Sequence, residues 1–323
     1  MGASPERWNG PGGEIQPPEQ TGSASTIRAV ILSFVRNAEH RFLFSNKSVP
    51  TIGPRHVRRR HTKVQQASQD ITVDAHADGV VWITIDRAAK HNALAGRVLT
   101  ALAQAVAAHG ARPDTRLLVL RGAGERFFAA GGDLVELSEV RDEAATHAMV
   151  ERSRGALDAV RRCPVPVLAY LNGDAIGGGA ELALACDMRL QAAHARIGFI
   201  QAKLAISTAW GGGPDLCRLV GGARALRMMG RCEMVDAAQA LQWGLADASI
   251  ADGADGEDLR AFLAPLRAHP PQVLRGMKAQ LIAWREGASY SARREVEHAQ
   301  VLATWLHDDH WQASDRFLAK AAR

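Results

Sequence analysis

The sequence is short of the residues that staple, chelate or span. Four cysteines occur in 323 residues (Cys163, Cys186, Cys217, Cys232), with no C-x-x-C pair and no histidine at ligand spacing. That argues against a disulfide scaffold and a structural zinc site. Three of the four sit in apolar or helix-like stretches, where a buried free thiol is the default. No apolar run approaches the ~18 residues that cross a bilayer; Val165–Leu171 is among the nearest candidates. Aromatics make up 5% and do not interleave with basic residues as a base-stacking platform would. The chain also contains no G-x-G-x-x-G, no G-x-x-x-x-G-K-[ST], no G-x-S-x-G and no H-E-x-x-H. Dinucleotide, nucleoside-triphosphate, serine-hydrolase and zincin chemistries drop out with them.

What is present is a globular balance, 47% hydrophobic and 23% charged. The net charge of +5 is unevenly placed. Residues 1–69 hold ten Lys and Arg against four Asp and Glu, which leaves 29 against 30 for the rest. This basic arm carries turn-formers, one apolar patch (Ala29–Val35) and the Arg58–Arg60 run, but no sustained period, so it reads as a disordered extension. It lacks the layout of a secretory signal, and a reducing, cytoplasmic location is expected. No Met lies between Met1 and Met149; a downstream start would fall on a valine codon such as that of Val57 or Val64.

From about Val80 the pattern becomes regular. VVWITID (80–86), Leu117–Arg121, Pro164–Leu171 and Met188–Gln191 are apolar and read as strands; Leu94–Ala108 and Met149–Val160 read as helices. Near-continuous apolar strands alternating with helices predict parallel units buried on both faces. Asp236 with Gln239 is a capping signal before a helix at Ala237–Gly244. Leu259–Arg267, Val273–Arg285 and Ala292–Ala319 follow as helices.

Two glycine-rich segments, FFAAGGDL (127–134) and NGDAIGGGAEL (172–182), each join a strand to a helix. Unpaired N–H groups and the helix dipole gather at such places. One is weak evidence, because glycine also serves tight turns. Two suggest paired donors for an oxyanion. Glu181, three residues after Gly178, shares a helix face with it. It serves as a simple cap, or exchanges a proton with a carbon beside a carbonyl.

Taken in order, DRAAKHNAL (86–94), the two glycine segments, LACD (184–187), WGGG (210–213), ALQWGL (240–245) and FLAK (317–320) resemble the enoyl-CoA hydratase/isomerase (crotonase) family over residues 70–323. The resemblance implies an α/β fold, a crotonase-like spiral of ββα repeats over 70–255 with a C-terminal helical trimerisation region at 256–323. It implies an acyl-CoA substrate, coenzyme A entering as part of that substrate and no separate cofactor, and a homo-trimer or hexamer. By position it makes the N–H groups of Gly132 and Gly178 the oxyanion hole, and lines the coenzyme site with Ala130, Asp133 and Leu134. Arg87, Lys90, Phe317 and Lys320 become coenzyme contacts, while the lysine frequent two residues after the motif Asp is here Val135.

Family hydratases use two glutamates. The first matches Glu181; the second, read across from ARIGFI (195–200), falls on Gln201. An amide orients water but does not take its proton. A single working acid suits an isomerase- or decarboxylase-type reaction, and ISTAWGGG (206–213), with Trp210, resembles members acting on short malonyl-CoA derivatives. Trp210 is equally a wall of the pocket. The alternatives are an enoyl-CoA hydratase of fatty-acid β-oxidation and, in another class, an RNA-binding relative using the arginine run, against which the neutral body argues.

Overall fold

The computed structural model describes residues 70–251 and 256–321; the basic arm, residues 1–69, lies outside the described residues. A six-stranded sheet contains β1 (Ile71–Ala75), β2 (Val80–Ile85), β3 (Leu117–Gly122), β5 (Val167–Leu171), β7 (Met188–Ala192) and β10 (Ala248–Ile250), in the order β1-β2-β3-β5-β7-β10. A second sheet runs β4 (Phe127–Ala129), β6 (Asp174–Ile176), β8 (Arg196–Gly198), β9 (Met234–Asp236). Among the described residues only β1/β2 and β8/β9 are antiparallel pairs. The helices are α1 (Gly96–Gly110), α2 (Leu134–Leu137), α3 (Glu143–Arg161), α4 (Gly178–Ala185), α5 (Gly212–Val220), α6 (Gly222–Gly230), α7 (Ala237–Trp243), α8 (Glu257–Ala268), α9 (Pro271–Arg285), α10 (Tyr290–Trp305) and α11 (Asp308–Ala321). Among the described residues none is long and apolar enough to cross a membrane.

Each turn of the resulting spiral is a long strand, a short strand and a helix: β3–β4–α3, β5–β6–α4, β7–β8–α5. The apolar strands are buried on both faces for a visible reason. Leu118 and Leu120 point into the main core with Ile83 and Leu184. Their neighbours Leu117 and Val119 point the other way, with Leu168, Tyr170 and Leu190, and are covered by Leu259 and Leu263 of α8. The period of two thus splits one apolar strand between two cores.

β4 lies parallel to β6, with Phe127 opposite Asp174 and Ala129 opposite Ala175. That register sets the two glycine segments side by side. Two buried asparagines brace the approach. Asn172 accepts from Gly122 N–H at 2.9 Å and donates to the carbonyls of Gly122 and Gly124. Asn92 donates to Phe127 O at 2.7 Å.

Several expectations shift. The third strand begins at Val167, past both prolines, which offer no ladder N–H. The second helix starts six residues earlier than its apolar pattern, at Glu143, because Asp142 caps it through Ala145 N–H at 2.8 Å. Asp236 caps α7 at Gln239 N–H, as its spacing predicts. The helix expected over 292–319 is two helices. The chain breaks after Trp305; His307 Nδ1 then accepts from Asp309 N–H at 3.2 Å, and two aspartates favour a new N-terminus. Cys163 and Cys186 are buried, whereas Cys217 is exposed and Cys232 half-buried. Burial pushes the Cys186 thiol up to about 12 and that of Cys163 to about 11, which keeps both inert.

Asp187, at the end of α4, anchors the C-terminal helices. Its carboxylate accepts from Lys278 Nζ at 2.6 and 2.7 Å, from Arg285 Nη1 at 2.6 Å and from Val167 N–H at 2.7 Å. Breaking such a buried pair typically costs ~3–5 kcal/mol, so the LACD segment serves the docking of α9.

Candidate active site

The two glycine segments meet at close range. Gly131 has φ +101°, and a Cβ there would lie 3.0 Å from Ile176 O and 3.4 Å from Gly178 N. A Cβ on Gly179 would overlap Ala129 O. Only glycines allow this approach. Gly178 opens α4, and its N–H has no acceptor within the helix. The N–H of Gly132 likewise donates to no acceptor of the described chain, the neighbouring bond being Leu94 N–H to Gly131 O at 2.8 Å.

One turn into α4, Glu181 is 2% exposed. Its Oε2 accepts from Trp210 N–H and Gly212 N–H, each at 2.9 Å, and its Oε1 from Gln201 Nε2 at 3.0 Å. Burial pushes the carboxyl up from its ordinary value and outweighs these three donors, which favour the anion. A Cβ on Gly212 would overlap Glu181 Cγ, so that glycine is required for the carboxyl to fit. Gln201, opening the 3₁₀ turn Gln201–Leu204, keeps its own Oε1 buried and without a partner.

The 209–212 loop is held from α3. Arg161 donates to Trp210 O at 3.1 Å and to Asp215 at 2.8 Å, and Arg154 to Ala209 O at 2.8 Å. Sequence reasoning missed the main-chain donors at Trp210 and Gly212, and these arginines behind them. The run of three glycines after Trp210 was the available signal.

Glu181, Gln201, Gly132, Gly178 and Trp210 therefore come together. The coenzyme contacts fare differently. Arg87 is not a free phosphate ligand: its side chain is 7% exposed, paired with Asp70 at 3.2 Å and Asp133 at 3.1 Å, and bonded to Ala93 O. Asp133 caps α2 through Val135 N–H. Burial raises its carboxyl, but the Arg87 bond and charge win and hold it below the usual range. Ala130 is half-buried and donates to His91 O at 3.1 Å, which places the exposed Lys90 beside the first loop. Leu134 is 62% exposed next to it. Phe317 and Lys320 are exposed on α11 and do not line the cavity beside Trp210. Among the described residues, no three of His, Cys, Asp and Glu group as metal ligands.

A ββα spiral whose successive glycine turns present free N–H groups beside a buried carboxyl defines a crotonase-fold protein. Residues 75–322 match the family described as enoyl-CoA hydratase/isomerase, and the chain belongs to that family. It is similar to a probable enoyl-CoA hydratase of Bacillus subtilis (strain 168), 29% identical over 71% of this chain and 88% of that one. It is also similar to the ethylmalonyl-CoA decarboxylase of Gallus gallus, 29% over 69% and 76%, and to the mitochondrial methylglutaconyl-CoA hydratase of Mus musculus, 31% over 70% and 74%. Among solved structures, an enoyl-CoA hydratase from Bacillus anthracis superposes with a TM-score of 0.72, at 29% identity, covering 78% of this chain and 97% of its own.

Proposed function

We propose that this chain decarboxylates a short malonyl-type acyl-CoA, with Glu181 as its single working acid. The observation that carries the reading is the pairing of a buried carboxyl, its proton affinity raised by burial, with an amide, Gln201, where hydration would require a second carboxylate. The thioester oxygen accepts from the N–H groups of Gly132 and Gly178. The bond from C2 to the substrate carboxylate breaks, CO₂ leaves, and its electron pair becomes the enolate that these donors hold. Glu181 then gives its proton to C2 and recovers one from solvent. No base is needed, which suits the site. Gln201 supports both states of Glu181: its Nε2 donates to the anion, and after a flip its unpartnered Oε1 accepts from the acid. The decarboxylase among the relatives adds weight. With Arg87 engaged, the exposed Lys90 beside the first loop is a cation for the coenzyme phosphates.

The purified protein should release CO₂ from methyl- or ethylmalonyl-CoA and hydrate crotonyl-CoA poorly. Hydration at ~10–10³ per second would overturn the reading. Gln201→Glu should raise hydration, because two carboxyls in contact share a proton and one becomes a base. No gain would mean that Gln201 does not stand where the second acid belongs.

The exposed apolar residues of α9–α11, among them Met277, Trp284, Trp305, Leu306 and Phe317, support self-association as a trimer or hexamer. Light scattering should return three or six times 34.7 kDa; a monomer mass would refute it.

A further inference from the structure

Trp210 has two separable parts. Its main chain belongs to the carboxyl site, donating to Glu181 and accepting from Arg161. Its ring touches the other half of the site. A Cβ on Gly178 would overlap ring atom Cζ3 and lie 2.7 Å from Cη2; a Cβ on Gly132 would lie 3.6 Å from Cη2 and Cζ2. One edge of the indole therefore packs on Gly178 and faces Gly132, the two glycines whose N–H groups are free. The space beside it, walled by Leu94, Leu99, Leu137 and Met149 and also by Glu136 and Arg152, has a volume of about 10 Å³, room for roughly one water.

We infer that the Trp210 indole is a specificity-determining group that limits the acyl chain to a short one. The inference rests on the acyl-CoA reading above and adds the residue that sets the size of the acyl group. A thioester carbonyl on the two N–H groups brings its acyl carbons against the indole edge, and the space left beside that edge is only about 10 Å³. A longer chain must displace a ring that is 6% exposed and backed by main chain at Gly178. Interiors packed to this density yield little.

Trp210→Phe, Trp210→Leu and Trp210→Ala each keep the main-chain N–H to Glu181 and remove the ring by steps. Saturated thioesters, which have no carboxylate to lose, report pocket size without turnover. Calorimetry on the full chain should show butyryl-CoA binding at least ~10-fold tighter than octanoyl-CoA. The ratio should fall stepwise across the series and reverse at alanine. If every variant that folds keeps the parent's ratio, the inference falls and the acyl-CoA reading stands. If neither parent nor variants bind any thioester, both fall. A merely structural role would weaken both ligands alike and leave the ratio unmoved. Should the alanine variant not fold, the phenylalanine and leucine variants decide.

Discussion

Glu181→Gln should lower turnover by ~10²–10⁴-fold, the usual share of a general acid, without unfolding the protein. The amide has the size of the carboxyl, and its oxygen can take the bonds from Trp210 N–H and Gly212 N–H. Its nitrogen then faces Gln201, whose unpartnered Oε1 is available after a flip. Stability gives an independent check. The folded carboxyl holds its proton more tightly than the unfolded one, so the native state binds more protons between the ordinary and the raised value. Its charge is a penalty above that window, and the penalty is relieved as pH falls through it. The variant should therefore melt no lower than the parent at neutral pH, and any advantage should shrink on acidification. The rate should follow the same group. The parent loses activity as pH rises through the raised value, and the variant's residual rate lacks that limb. Turnover within about tenfold of the parent would remove Glu181 from the chemistry; a large drop in melting temperature would make it a structural residue.

Gly178→Val should cost at least ~10²-fold, the typical loss of one oxyanion donor. Backbone strain is not the reason, because Gly178 does not have a positive φ. The added carbons collide with the Trp210 ring, and either the ring leaves or the turn opens and its N–H swings away. Gly155→Ala is the matched control. Gly155 sits inside α3 with nothing within 4 Å of a Cβ, so alanine should leave the rate alone and add ~0.5–1 kcal/mol of stability. Rates and melting curves of both variants test this together. A valine variant within threefold of the parent would mean that Gly178 holds no oxyanion.

The sequence by itself determined whatever is encoded within a few residues. The apolar strands β2, β3, β5 and β7 follow from their runs, the α7 cap from Asp236 and Gln239, and Glu181's place in α4 from its offset to Gly178. Period and capping are local, and nothing distant overrides them here. Local signal fails for the three-residue strands β4, β6, β9 and β10, too short to carry a period. It fails also at Leu306–His307, where a histidine side chain restarts a helix that the apolar pattern would continue.

Only the tertiary structure decided who touches whom. The donors to Glu181 lie 20, 29 and 31 residues beyond it, and Arg87 finds Asp133 across 46. A motif cannot announce such partners, because parallel register and the stacking of successive turns select them. The same stacking buries Glu181 and lifts its proton affinity, which its offset from Gly178 alone does not encode.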